Sequence, residues 1–162
     1  MQRKLGMTAV LVVALAVAGY AQKPDFSGVW TPDAAAAPPA GGGGGGGRGM
    51  APGPMTVTHK GDTLTIERTM GETKMSSTYK LDGTESVNKM TGRGGEPVET
   101  KSTAKWDGSK LTIVTKQAAP DGTVRESSQS WSLEGGNLVV ESTRTGREGT
   151  PVTAKTTYKK TT

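Results

Sequence analysis

Residues 55–70 read MTVTHKGDTLTIERTM, and this stretch decides the fold class. Gly61-Asp62 stands between two runs in which apolar residues alternate with Thr, His or charge. Side chains of an extended chain point alternately to opposite sides, so Leu64, Ile66, Arg68 and Met70 share one face. A glycine-containing dipeptide between such runs supplies the positive φ that a tight hairpin turn requires. The segment is predicted as two antiparallel strands over 55–60 and 63–70, joined by a two-residue turn.

The same grammar repeats toward the C-terminus. Asp82-Gly83 centres a second hairpin of strands over 73–81 and 84–91. Further strands are expected over 97–106, 110–118, 123–133, 138–145 and 151–160, with turns at Asp107-Gly108, Asp121-Gly122 and Gly135-Gly136. Alternation is clear in Met75, Ser77, Tyr79 and Leu81, and again in Val98, Thr100, Ser102, Ala104 and Trp106. Trp131 and Leu133 continue a face that begins at Arg125. No stretch after residue 21 has the 3.6-residue period of a helix. Adding a strand near 28–31 gives ten. A meander of that length leaves long unpaired edges unless it closes, so the expected fold is all-β: an antiparallel up-and-down meander closing into a barrel of about 8–10 strands.

The flanking segments are of another kind. Arg3 and Lys4 precede an apolar run from Thr8 to Ala18, and Gly19 and Ala21 supply small residues at the −3 and −1 positions of a cleavage site. Residues 1–21 therefore read as a signal peptide cleaved after Ala21, and the protein is expected to be exported, to a periplasm or the medium. With no cysteine in the chain there is no lipid-anchored lipoprotein and no disulfide. The opening strand lies in 22–31. Residues 32–54, with paired Pro and seven consecutive glycines from Gly41 to Gly47, read as a disordered loop or linker. Arg48-Gly49-Met50 after those glycines lacks the Lys-Ser/Thr and the helix of a phosphate loop. The barrel domain then covers 55–160.

Composition narrows the partners. The signal segment holds two of the 20 basic residues and none of the 15 acidic ones, so the remainder carries a formal charge of +3. That balance, scattered along the strands, does not point to nucleic acid. From Met55 onward 22 Thr stand beside 23 large apolar residues, which supports one small domain with a lean core. Seven aromatic residues in the whole chain are too few for the girdles of an outer-membrane barrel, and no span is expected after signal removal. The single histidine, His59, has no spaced partners for a metal or a catalytic role and is expected on an exposed strand. No Gly-x-Ser-x-Gly elbow occurs, nothing singles out a carboxylate pair, and neither catalysis nor a cofactor is expected.

Phe26-Ser27-Gly28-Val29-Trp30 resembles the Gly-x-Trp opening strand of the calycins, the lipocalins and fatty-acid-binding proteins. The resemblance covers most of the exported chain in strand pattern but only a few residues in identity, and ten strands look more like the fatty-acid-binding branch. It implies that Gly28 and Trp30 are structural residues at the barrel base, near a basic side chain of a late strand, Arg144 or Lys155. It further implies a carboxylate-holding Arg-x-Tyr pair on the last strand, where Tyr158 matches the tyrosine but Thr156 occupies the arginine position. The helical lid of that branch is replaced by the Ala/Pro/Gly stretch. As a whole the chain is similar to small exported lipocalin-like domains.

Candidate ligand residues follow from the inward faces. Arg68 shares a face with Ile66 and Met70, and Arg125 one with Trp131, so either guanidinium could meet a ligand anion, an internal Glu, or solvent at a strand end. Tyr79 lies on the face of Met75 and Leu81, Trp131 serves either as an aromatic wall or as core, and Tyr158 enters through the resemblance. Trp106, immediately before a turn, is expected to cap a barrel end. The mixture of Thr, Ser, Tyr and Arg with Leu, Ile, Met and Val on these faces favours a cavity for a small, partly apolar ligand. The alternative is a non-enzymatic structural or protein-interaction module with a filled interior.

Overall fold

A computed structural model describes residues 23–33, 53–70, 73–91, 97–119, 122–146 and 149–161. The expected signal segment and most of the 32–54 linker lie outside the described residues. Within them the chain forms ten strands and no helix. They are β1 (Gly28–Pro32), β2 (Met55–Lys60), β3 (Thr63–Met70), β4 (Thr73–Lys80) and β5 (Glu85–Thr91), followed by β6 (Pro97–Asp107), β7 (Lys110–Ala118), β8 (Val124–Glu134), β9 (Asn137–Thr145) and β10 (Pro151–Thr161). Pro32 belongs to β1 rather than to the linker. Boundaries elsewhere fall within a residue of the alternation pattern.

All pairings are antiparallel, in the order β4-β3-β2-β1-β10-β9-β8-β7-β6-β5. Closure therefore runs through the two ends of the chain, where Trp30 pairs with Lys160 and Pro32 with Tyr158. The expected ladder across Asp82-Gly83 is absent: β4 and β5 are the two edges of the sheet. Side chains stitch this seam instead. Asn88 accepts from the Thr78 N–H at 2.7 Å and donates to the Thr78 carbonyl at 3.0 Å, while Ser86 Oγ accepts from the Lys80 N–H at 2.8 Å. An amide side chain carries one acceptor and a donor group, so Asn88 imitates a peptide unit at an edge that has none. The result is a nearly closed barrel.

The barrel has two unlike ends. Four tight turns at residues 61–62, 81–84, 108–109 and 135–136 lie at one end, which the core fills; Gly61 makes the first with a φ of 55°. Phe26, Trp30, Leu64, Leu111, Trp131 and Leu138 are fully buried there. The other end carries the longer connections. Between the two ends the inner wall turns polar: Ser86, just after the closed-end turn, and Asn88, Thr100 and Ser102 are buried, and Ser102 hydrogen-bonds Thr115 across β6 and β7 at 2.9 Å. Ser127 and Ala154, whose registers put them on the inner face, are exposed. Solvent thus reaches the inside of the open half.

The outer face carries mixed charge and hydroxyls. Lys101 pairs with Glu85 at 3.3 Å, Lys116 with Glu126 at 3.5 Å and Lys155 with Glu134 at 3.7 Å. Thr143 and Thr153 hydroxyls meet at 2.8 Å. Such exposed contacts each add little stability; their effect is to keep the outside wet and the register unambiguous.

Candidate functional site

Two places on the barrel gather unusual side chains, one at each end. At the closed end the chain before β1 folds beneath the barrel. Phe26 stacks on Trp106 at 5.7 Å and on His59 at 6.1 Å, and meets Trp131 edge-on at 5.8 Å. His59 is therefore not on an exposed strand: its alternation places it on the inner face, where the Phe26 plug covers it. Its Nδ1 lies 3.5 Å from the Phe26 N–H and 3.6 Å from an Asp25 carboxylate oxygen. Hydrogen bonds from Ser27 hold the Asp25 carboxyl below the usual carboxylate range, helped by His59 and Lys160 and opposed by slight burial. Lys23, Asp25, His59 and Gly61 border an open depression of about 270 Å³.

Trp30 seals the same end. Its indole N–H donates to the Phe26 carbonyl at 2.8 Å, and the Lys160 ammonium sits 5.5 Å above its ring. The basic neighbour is thus Lys160, not Arg144 or Lys155, because the β1–β10 register sets Lys160 opposite Trp30 and carries the other two toward the open end or the outer face. Gly28, at a φ of 142°, lies under the Lys160 stem; a Cβ there would stand 2.5 Å from Lys160 Cε.

The open half contains the chemically informative group. Arg68 on β3 pairs laterally with Met55 and Met75, and its Nη2 approaches the Met55 sulfur at 3.5 Å. Its Nε is buried with no hydrogen-bond partner. A buried guanidinium N–H without an acceptor costs about 1–3 kcal/mol, so its persistence calls for an explanation. Tyr79, opposite Leu64, and Tyr158, opposite Leu138, are rooted on rungs of the closed half and lie near enough to feel the Arg68 charge. Burial pushes the Tyr79 hydroxyl up, with a Ser77 hydrogen bond and Arg68 pulling the other way; burial pushes Tyr158 up, again offset by Arg68. Both therefore remain O–H groups at neutral pH. Guanidinium and phenols together make a donor-rich corner suited to an anion.

Curvature assembles this corner. Arg68 and Tyr158 lie on strands separated by β2 and β1 in the sheet, and the wrapped wall brings them within electrostatic reach of each other. Thr156 stands on β10 where the resemblance would set an arginine, and the inward-facing arginines nearest Tyr158 in strand order among the described residues are Arg144 on β9 and Arg68 on β3. Among the other sequence candidates, Arg125 is exposed at the open end of β8, away from this corner. Trp131 is fully buried in the closed half, with its N–H on Gln129 at 3.1 Å, and packs as core. Trp106 joins the stack at the closed end. Met55, Met75 and the seam residues were not marked by the sequence, since nothing in an isolated strand shows what faces it across a barrel. A rim cleft of about 260 Å³ is lined by Arg68, Met55 and Met75 together with the outer row Val29, Thr56, Glu67 and Ser76. Among the described residues no cluster of His, Asp or Glu could hold a metal.

No protein-family model matches the sequence, and no curated protein matches it either. Solved structures do. The chain is similar to the REP1-NXSQ fatty acid transporter at 17% identity, covering 84% of this chain and 96% of that one with a TM-score of 0.53. It is similar to a point mutant of the fluorescent protein UnaG at 23% identity, over 85% and 96% of the two chains, with a TM-score of 0.52. A zebrafish ileal bile acid-binding protein complexed with cholic acid aligns at 25% identity over 67% and 72%, with a TM-score of 0.48. What these likenesses show is the fold: an all-β, up-and-down antiparallel barrel, here of ten strands and nearly closed.

Proposed function

We propose that this chain is an exported binding protein, not an enzyme, that holds a small, partly apolar molecule with an acidic group inside its barrel. One observation carries the reading: Arg68 lies on the inner face with a buried, acceptor-free Nε beside the hydroxyl donors Tyr79 and Tyr158. An acidic group at that corner would satisfy the orphaned donor, and Met55 and Met75 offer adaptable apolar surface to the rest of the ligand. The solvent-reached inner positions Ser127 and Ala154 favour a cavity over the filled module. That one of the structural neighbours is described as a fatty acid transporter agrees with such a ligand.

The test is a titration of the mature protein with dodecanoate, followed by NMR and calorimetry. Saturable binding with shifts centred on Arg68, Tyr79 and Tyr158 is expected. Shifts confined to the outer face, or no saturable binding of any anionic amphiphile, would reject the reading. Export is checked separately: the N-terminus of the protein recovered outside the cytoplasm should begin at Gln22.

A further inference from the structure

The charges of the barrel wall are sorted by face. Every acidic residue of the ten strands lies on the outer side by register: Glu67, Glu85, Glu99, Glu126, Glu134 and Glu141, with Asp107 at the end of β6. The strand lysines lie there too, apart from Lys160 over Trp30 at the closed end. Turned inward in the open half are three arginines, Arg68, Arg125 and Arg144, and among the described residues none of them has an acidic partner. A solvated surface mixes both signs, as the outer face does; an inner wall with one sign and one residue type does not follow from solubility. Arginine stays charged, sheds water more readily than lysine and holds carboxylates in a two-pronged grip.

The three do not form one cluster. Arg144 pairs with Ser127, and Arg125 stands two residues before Ser127 on the same face of β8. That diagonal separates them by roughly 7–8 Å at the backbone, within reach of two long side chains converging on one group. Both are exposed at the open mouth, whereas Arg68 sits half-buried on β3, within electrostatic reach of buried Tyr158 and partly buried Tyr79. The inner wall thus carries two separate cationic stations, one at the mouth and one within.

From this sorting we infer that the ligand has two acidic groups held apart by an apolar body, one received by Arg68 and the other by Arg125 and Arg144. This rests on the proposed binding of an acidic ligand at Arg68 and adds its second charge.

The experiment compares dodecanedioate with dodecanoate, which differ only in the second carboxylate. Both are titrated calorimetrically at low salt into the mature protein and into the R125Q/R144Q double variant; these exposed positions leave the fold unchanged, as circular dichroism will verify. The diacid is expected to bind about tenfold or more tightly than the monoacid, and the double variant to lose that preference while holding the monoacid as before. Equal affinities in the natural protein would overturn the second station and leave the Arg68 reading standing. A preference that survives in the double variant would overturn the assignment to Arg125 and Arg144. Binding of neither compound would overturn both readings.

Discussion

Replacing Arg68 by Met should move affinity and stability in opposite directions. The guanidinium is the cation of the open-half corner, and a hydrogen bond to a charged group is worth about 1.5–3 kcal/mol, so dodecanoate should bind roughly 10- to 150-fold more weakly. In the unliganded protein the same side chain holds a buried Nε with no acceptor and a single long contact to the Met55 sulfur. Methionine fills similar volume and strands no donor. Removing that penalty should raise the unfolding free energy by about 1 kcal/mol, at the low end of the range because Arg68 is only half-buried. The midpoint would rise by about 4 °C. Calorimetric titration and thermal unfolding of the two proteins read both quantities. A variant that is less stable would show that Arg68 holds strands together, and its lost affinity would then say nothing about a ligand. A change in affinity under about threefold would remove Arg68 from the site.

Three other outcomes follow from the geometry. Asn88→Ala strands the Thr78 N–H and carbonyl at the seam and should cost about 1–3 kcal/mol in urea unfolding, with amide exchange faster at Thr78 than at Thr65; unchanged exchange at Thr78 would show that the seam is held otherwise. Gly28→Ala should destabilise by about 1–3 kcal/mol, and adding Lys160→Ala should restore only part of it, because the φ of 142° strains any L side chain even after the contact with Lys160 is relieved; full rescue would assign the whole effect to that contact. The Asp25 carboxyl is held low in the folded state, so its contribution is present above the ordinary carboxylate range and fades as pH falls through its own depressed value. Acid unfolding of Asp25→Asn should therefore part from the natural protein above about pH 4 and converge with it at lower pH; a difference confined to alkaline pH would contradict this.

The strands were legible because each reports itself locally: Leu64, Ile66 and Arg68 alternate, and Gly61-Asp62 turns the chain. What a turn does not report is whether the strands beside it pair. Asp82-Gly83 reverses the chain as surely as Gly61-Asp62, yet β4 and β5 form no ladder, and among the described residues the hydrogen bonds between them come from Asn88 and Ser86. The candidate corner was legible one residue at a time. Arg68 declared itself as a charge on an apolar face, but its meeting with Tyr158 depends on how far the wall curves between β3 and β10. Lys160 over Trp30 was missed for a related reason, since its place is set by the β1–β10 register and not by its neighbours in the chain. His59 looked exposed because its own strand carries no sign of the Phe26 plug.

The placement of the seam also bears on how the chain could be rewired. In most meanders the covalent ends mark the weakest join, but here they are firmly laddered, with Val29 opposite Thr161, while the break falls mid-chain at residues 81–84. Connectivity and architecture are thus out of phase by half a turn of the barrel. A circular permutant that begins at Gly83, ends at Asp82 and bridges residue 161 to Lys23 through a short linker would keep the Phe26 plug and every ladder, and would bring the longest-range pairing, β1 with β10, close in sequence. Because distant pairings slow folding, that rearranged chain should fold faster than its parent while enclosing the same interior.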